Sequence, residues 1–389
     1  MKHVPRIAEK RFKRLLKTFP AVLVAGPRQC GKSTLTRSTL PDWEQLDLER
    51  PSDLALLQAD LEGFLAVRPK QVVFDEAQRM PELFPALRHR IDGGKGKGRY
   101  VLLGSASPAL VRSVSESLAG RIGLLELTPL RAQELHGRPQ IKDRWFWGGY
   151  PPVLSLRDAR ARATWLDAYV GTFLERDLPA LGLNLPAQRL RTLWTMLTHV
   201  HGQLLNVSDL ARALTVSSHT VNSDLDVLEG AYMIRRLPPF FANVQKRLTK
   251  SPKLYIRDTG LLHFLAGLRT AKELETWPKR GHSFEGLVIE ELIALANDTL
   301  VRPEVFFWRT QAGAEVDLLI RNGNRILPVE IKLGSTVDPH GLRGLQQCMA
   351  DLGLKRGWVV NTAGERRLLA PGIEQVPWSA ITAGEARLF

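Results

Sequence analysis

The sequence predicts an α/β protein: a doubly wound parallel sheet first, a helical region in the middle, and a second, smaller α/β domain at the end. Three observations carry this. An apolar run at residues 21–25 feeds a glycine-bounded loop and then a helical stretch. A second apolar run, Gln71-Val72-Val73-Phe74, ends in two carboxylates, Asp75 and Glu76. Near the C-terminus two strand patterns flank Asn322-Gly323-Asn324, a sequence that favours a hairpin turn.

A length of 389 residues fits two or three domains, and the pattern shifts place them at 1–135, 136–268 and 269–389. Hydrophobic content of 44% is ordinary for a chain with a sizeable core. No apolar run approaches the ~20 residues of a membrane span, so no membrane partner is expected. Residues 1–19 are basic and amphipathic, without the apolar core or cleavage site of a secretory signal, and a cytoplasmic location is the default. The two cysteines, Cys30 and Cys348, cannot build a zinc ribbon. His199 and His201 are read as flanking a helix end. A net charge of +14 attracts polyanions, which favours DNA over a merely basic soluble surface.

Taken in order, Lys10-Arg11-Phe12-Lys13-Arg14-Leu15-Leu16 predicts a basic amphipathic helix leading into the first strand. After that strand comes Gly26-Pro27-Arg28-Gln29-Cys30-Gly31-Lys32-Ser33-Thr34. It fits G-x-x-x-x-G-K-[ST], the phosphate-binding P-loop. Gly26 and Gly31 let the backbone turn back so that its N–H groups face phosphate oxygens. Lys32 is expected on the β/γ-phosphates and Ser33 on Mg²⁺, with the helix N-terminus adding positive field. Residues 43–48 read as a short strand, and 53–66 as a helix with Leu54, Leu57, Leu61 and Leu65 on one face. Asp75-Glu76 then has the Walker B form. Asp75 holds Mg²⁺ directly or through water, and Glu76 polarises the attacking water as general base.

A third apolar run, residues 100–103, leads to Gly104-Ser105-Ala106-Ser107. Ser105 is the candidate for sensing the γ-phosphate, with a plain small-residue turn as the competing reading. Leu118-Ala119-Gly120-Arg121 closes a helix. Arg121 either neutralises transition-state charge at a neighbouring subunit's nucleotide, which requires a homo-oligomer, or makes a surface salt bridge.

In the middle, residues 157–176 predict a helix with Trp165, Leu166, Tyr169, Val170 and Phe173 as core, and 189–200 predict another. Residues 205–228 read as helix, turn, helix, with Ser208 as one N-cap and Ser217 or Ser218 as the other. A strand pair at 233–237 and 253–256 would complete a winged helix. Arg235, Arg236, Lys246, Arg247, Lys250 and Lys253 form a basic set that can touch phosphates, or the module packs against protein.

In the last domain, residues 284–292 are helical and 305–309 form a strand. Residues 315–320 and 325–331 pair across the Asn-Gly turn. Glu330 and Lys332 are two apart and share a strand face; Asp317 faces them from the neighbouring strand, and Glu285 approaches from the helix. Asp…Glu-x-Lys on a hairpin is the PD-(D/E)xK nuclease constellation. In it Asp317 and Glu330 ligate Mg²⁺, Lys332 activates water and Glu285 supports the metal. The other reading is an ordinary charged edge-strand face, or a nuclease-like fold kept for binding alone.

Together these motifs make the chain resemble a bacterial and archaeal family of AAA-type ATPases. Its N-terminal ATPase domain is joined to a C-terminal region of unknown function with a nuclease-like end. The resemblance rests on Gly26 to Ser33, Phe74-Asp75-Glu76-Ala77-Gln78, Leu103-Gly104-Ser105, Leu118-Ala119-Gly120-Arg121, Gly148-Gly149-Tyr150-Pro151 and the Asp317/Glu330/Lys332 set. It implies an additional-strand, AAA-type P-loop ATPase domain, a winged-helix region, and a restriction-endonuclease-like domain. ATP and Mg²⁺ are the implied cofactors. The competing functions are an ATPase acting on DNA, a nucleotide-dependent switch acting on a protein partner, and an ATP-gated metal-dependent nuclease.

Overall fold

β1, Ala21–Gly26, is buried along its whole length, and its alternate residues enter two different cores. Ala21, Leu23 and Ala25 join one cluster with Leu57, Phe64, Leu83, Phe84, Leu87 and Ile91. Val22 and Val24 join the other, with Phe12 and Leu35. The period of two along a strand therefore sandwiches β1 between helix layers. The helices Ala8–Thr18 and Lys32–Thr39 cover one face. Pro51–Ala59, Leu61–Val67 and Leu83–Asp92 cover the other.

β1 is one of five parallel strands, with β2 (Glu44–Asp47), β3 (Val72–Asp75), β4 (Tyr100–Ser105) and β5 (Ile122–Glu126), in the order β2-β3-β4-β1-β5. β4 thus lies between the P-loop strand and the strand ending in Asp75. In such a sheet, ligands sit beyond the strand C-terminal ends where the order reverses, and both motifs lie there. The single helix expected over 53–66 is two helices broken at Asp60, whose Oδ1 accepts the Gly63 N–H at 2.8 Å.

The computed structural model describes residues 3–67, 71–94, 96–105, 116–180, 183, 185–240 and 251–389. Lys246, Arg247, Lys250, Ala106, Ser107 and the Ser105 side chain lie outside the described residues. The chain packs as two compact units: residues 2–130 with 226–232, and residues 131–225 with 233–389. In the first unit Tyr232 packs against the core cluster of Leu23, Leu57 and Phe74. The middle and C-terminal regions read separately from the sequence share the second unit.

That second unit begins with helices. Ala159–Thr172 runs into a π-turn at Phe173–Asp177, and Ala187–Leu197 follows. The expected helix pair is Val207–Leu214 and Ser218–Gly230, the latter extending across the boundary of the units. Its first cap is Asn206, whose Oδ1 accepts the Ser208 and Asp209 N–H groups, and not Ser208 as expected. Ser217 Oγ accepts the Thr220 N–H, as capping of the second helix requires. β6 (Gln203–Leu204), β7 (Ile234–Leu237) and β8 (Lys253–Ile256) form an antiparallel sheet in the order β6-β8-β7.

A six-stranded sheet follows, built from β9 (Glu304–Arg309), β10 (Glu315–Asn322), β11 (Arg325–Ile331), β12 (Gly357–Asn361), β13 (Arg367–Ala370) and β14 (Ile373–Pro377). Its order is β13-β14-β12-β11-β10-β9. β10 and β11 pair antiparallel across a Gly323-Asn324 turn, in which Gly323 has φ 61° and suits the left-handed position. The helix Arg280–Thr299 contributes Phe284, Leu287, Val288 and Leu292 to one core, and Arg343–Asp351 contributes Leu345, Cys348 and Met349 to another. Among the described residues no helix is long and apolar enough to cross a membrane.

Candidate functional site

The P-loop is shaped by close backbone contact. A Cβ on Gly26 would lie 2.1 Å from the Leu127 carbonyl oxygen, so no side chain fits there. Gly31 has φ 103° and Gln29 has φ 59°, so the loop winds through left-handed conformations before the helix opens at Lys32. Arg6, which the sequence reading passed over, clamps this loop. Its Nη1 donates to the Cys30 carbonyl at 2.8 Å and its Nη2 to the Thr128 carbonyl at 2.5 Å. Cys30 is fully buried, and burial pushes its thiol pKa up. Arg28 leaves the loop sideways to pair with Glu49 at 3.0 Å. Gly26→Ala is expected to abolish binding of a fluorescent ATP analogue; retained affinity would show that the loop tolerates a Cβ at this wall.

The two nucleotide motifs meet. Ser33 Oγ donates to Asp75 Oδ2 at 2.5 Å, and Lys32 Nζ donates to the Gly26 and Pro27 carbonyls at 3.0 Å each. Burial pushes the Asp75 carboxyl above its ordinary pKa; the Ser33 bond opposes this, and the neighbouring Glu76 charge adds to it. A hydroxyl touching a half-buried carboxylate is the oxygen donor set that Mg²⁺ takes, so the residues present fit the cation and a phosphate chain beside it. Glu76 has φ 53°, uncommon for a residue with a side chain, and hydrogen-bonds Gln78. Asp47 ends β2 directly opposite Asp75 and adds to the acidic field. Ser105 ends β4 opposite Gly26 in the register. Arg121 forms a bidentate pair with Asp92, at 2.6 and 2.9 Å, within its own chain.

The C-terminal set is also brought together, with an unexpected member. Lys253 Nζ lies 3.1 Å from Glu285 Oε1, 3.3 Å from Asp317 Oδ1 and 2.5 Å from Glu315 Oε1. The Lys253 side chain is 2% exposed, so its expected role on DNA phosphates is corrected: it is an internal ion-pair partner. Burial works to lower the pKa of this ammonium, but the fields of Glu285, Tyr255, Asp317 and Glu315 outweigh it and hold it well above its ordinary value. Tyr255 OH donates to Glu285 Oε1 at 2.5 Å, and Asp317 Oδ2 accepts the Ile331 N–H at 2.8 Å. Lys332 Nζ pairs with Glu330 Oε1 at 2.6 Å, while Glu330 Oε2 is buried without a hydrogen-bond partner among the described residues. Burial, then the Asp317 charge, push both Glu285 and Glu330 upward. Asp317 sits where β10 shifts register against β9, a local irregularity that re-aims side chains.

Arg235, another of the expected phosphate contacts, is likewise an internal partner: it and Arg257 both bond Glu290, Arg257 at 2.9 Å. His201 does more than flank a helix end: its Nδ1 accepts the Ile256 N–H at 3.0 Å, and its Nε2 contacts the His282 carbonyl at 3.1 Å. The Gly148-Gly149-Tyr150-Pro151 turn is held by Asp258, whose Oδ2 accepts the Gly149 N–H at 2.8 Å. One sequence signal for Lys253 exists: Lys253 and Tyr255 are two apart on a short strand and share a face. A lysine beside a tyrosine on an inward face needs a carboxylate partner.

Three family models match the chain. Residues 18–136 match an AAA domain, 138–272 a domain of unknown function (DUF8612), and 280–381 a domain of unknown function (DUF4143). The chain is 43% identical to the uncharacterized protein Rv2008c of Mycobacterium tuberculosis over 96% of its own length and 83% of that protein's. It has the same identity and coverage with Mb2031c of Mycobacterium bovis. Among solved structures it is similar to the Walker-type ATPase PABY2304 of Pyrococcus abyssi, with a TM-score of 0.47 and 16% identity over 68% of this chain and 96% of that one.

Proposed function

Since the chain belongs to the family of the M. tuberculosis protein Rv2008c and carries an AAA domain, we propose that it is an Mg²⁺-dependent ATPase that acts on DNA. One observation carries the hydrolytic part: Ser33 and Asp75 touch at the mouth of the P-loop, with Glu76 next in the chain. In this reading Ser33 and Asp75 hold Mg²⁺, and Lys32 neutralises phosphate charge. Glu76 removes the proton from the attacking water. When bound, Mg²⁺ supplies charge stabilisation of the phosphoryl oxygens. Arg121, paired with Asp92 in its own chain, exchanges that partner for a neighbouring copy's nucleotide in an assembled form.

The DNA part is supported by charge. The net charge is +14, and on the β13–β14 edge Arg356, Arg366 and Arg367 surround a single carboxylate, Glu374. Three cations against one anion leave a local excess suited to phosphates. The test is ATP turnover against single-stranded, duplex and branched DNA, across salt concentrations and with sizing in ATP and ADP. Stimulation that weakens steeply with salt is expected, and Arg366→Glu/Arg367→Glu should reduce it. Turnover indifferent to every DNA form would remove DNA from this reading and favour a nucleotide-dependent switch on a protein partner.

A further inference from the structure

The C-terminal carboxylates already have a cation. The Lys253 ammonium contacts Glu285, Glu315 and Asp317, and of these Asp317 is an expected ligand of a divalent ion and Glu285 its expected support. With the ammonium seated among these carboxylates, the described residues contain no group of three or more His, Cys, Asp or Glu arranged to hold a metal ion. We infer that Lys253 is a built-in counter-cation standing in the place of a divalent metal, so that this carboxylate cluster binds neither Mg²⁺ nor Mn²⁺ in the native chain, and that removing the ammonium converts it into a divalent-cation site.

Charge balance supports this. The carboxylates Glu285, Glu315, Asp317 and Glu330 number four; Lys253, Arg309 and Lys332, which pair with them, number three. Four carboxylates against three cations leave a single net negative charge, so most of the field that would draw in a doubly charged ion is already cancelled by side chains. Adding a doubly charged ion beside a buried ammonium would meet direct repulsion. The group with spare capacity is Glu330 Oε2, buried and without a hydrogen-bond partner among the described residues, so it is the oxygen that an incoming cation would capture once Lys253 is gone. The consequence is a domain that contacts its partner without hydrolysing it through this cluster.

The inference does not rest on the ATPase reading, because its test uses nucleotide-free protein carrying Asp75→Asn, which removes the P-loop metal ligand. Bound Mn²⁺ is counted by electron paramagnetic resonance. The Asp75→Asn chain is expected to bind no Mn²⁺ up to ~1 mM free metal, the weak end of oxygen-ligand sites. Adding Lys253→Met should create one site per chain, lost again on Asp317→Asn; Lys253→Arg, which keeps the charge, should create none. An Mn²⁺ site in the Asp75→Asn chain that disappears with Asp317→Asn or Glu330→Gln would overturn the inference. So would a folded Lys253→Met chain that gains no metal. Should Lys253→Met not fold, the count on the Asp75→Asn chain with and without Glu330→Gln decides alone.

Discussion

Glu76→Gln is expected to slow ATP turnover by about 10²- to 10⁴-fold, the usual range for loss of a positioned base, while ATP stays bound. The reason is placement. Glu76 follows directly on Asp75, the Ser33 partner, and its left-handed backbone and Gln78 bond fix it at the strand end. The amide keeps the shape and loses the basicity. Lys32→Ala differs in kind: it removes the cation from the loop and should abolish productive binding as well. Single-turnover phosphate release, with filter binding of ATP beside it, separates the two. Near-native release by Glu76→Gln would move the base to another residue.

The second large effect is on stability. Glu290 is buried between Arg235 and Arg257. Glu290→Ala leaves both guanidinium groups without it, and breaking such a buried pair costs about 3–5 kcal/mol. The native pair also predicts an acid limb. Burial alone would raise the Glu290 pKa, but the two arginines outweigh it and hold the carboxyl at about 2, below its ordinary 4.5. A depressed carboxyl stabilises fully above its unfolded pKa and loses that contribution as pH falls through the folded one. About 3 kcal/mol should therefore fade as pH drops from 4.5 toward 2. Urea midpoints of native and Glu290→Gln chains across that window check it: the native value should fall more. Parallel pH dependences would show that another group sets the acid limb.

What the sequence revealed was local. The P-loop, the Asp75-Glu76 pair and the Asn-Gly hairpin are legible because a few consecutive residues specify the backbone and the chemistry together. Asn206 took the cap from Ser208 by beginning the helix two residues earlier, a choice that spacing alone does not settle. Lys253 was misread for a deeper reason. Its partners Glu285 and Asp317 are 32 and 64 residues away, so exposure and role are decided by tertiary packing. A basic residue in a basic stretch looks like surface until its partners are placed. Arg235, consumed by Glu290, repeats the lesson.

The interleaving of the two units has a consequence for synthesis. Residues 2–130 leave the ribosome first, yet Tyr232, which packs into their core, emerges roughly 100 residues later. At ~5–20 residues per second that interval is on the order of 10 s. The nucleotide-binding unit is therefore completed only after more than half of the chain exists.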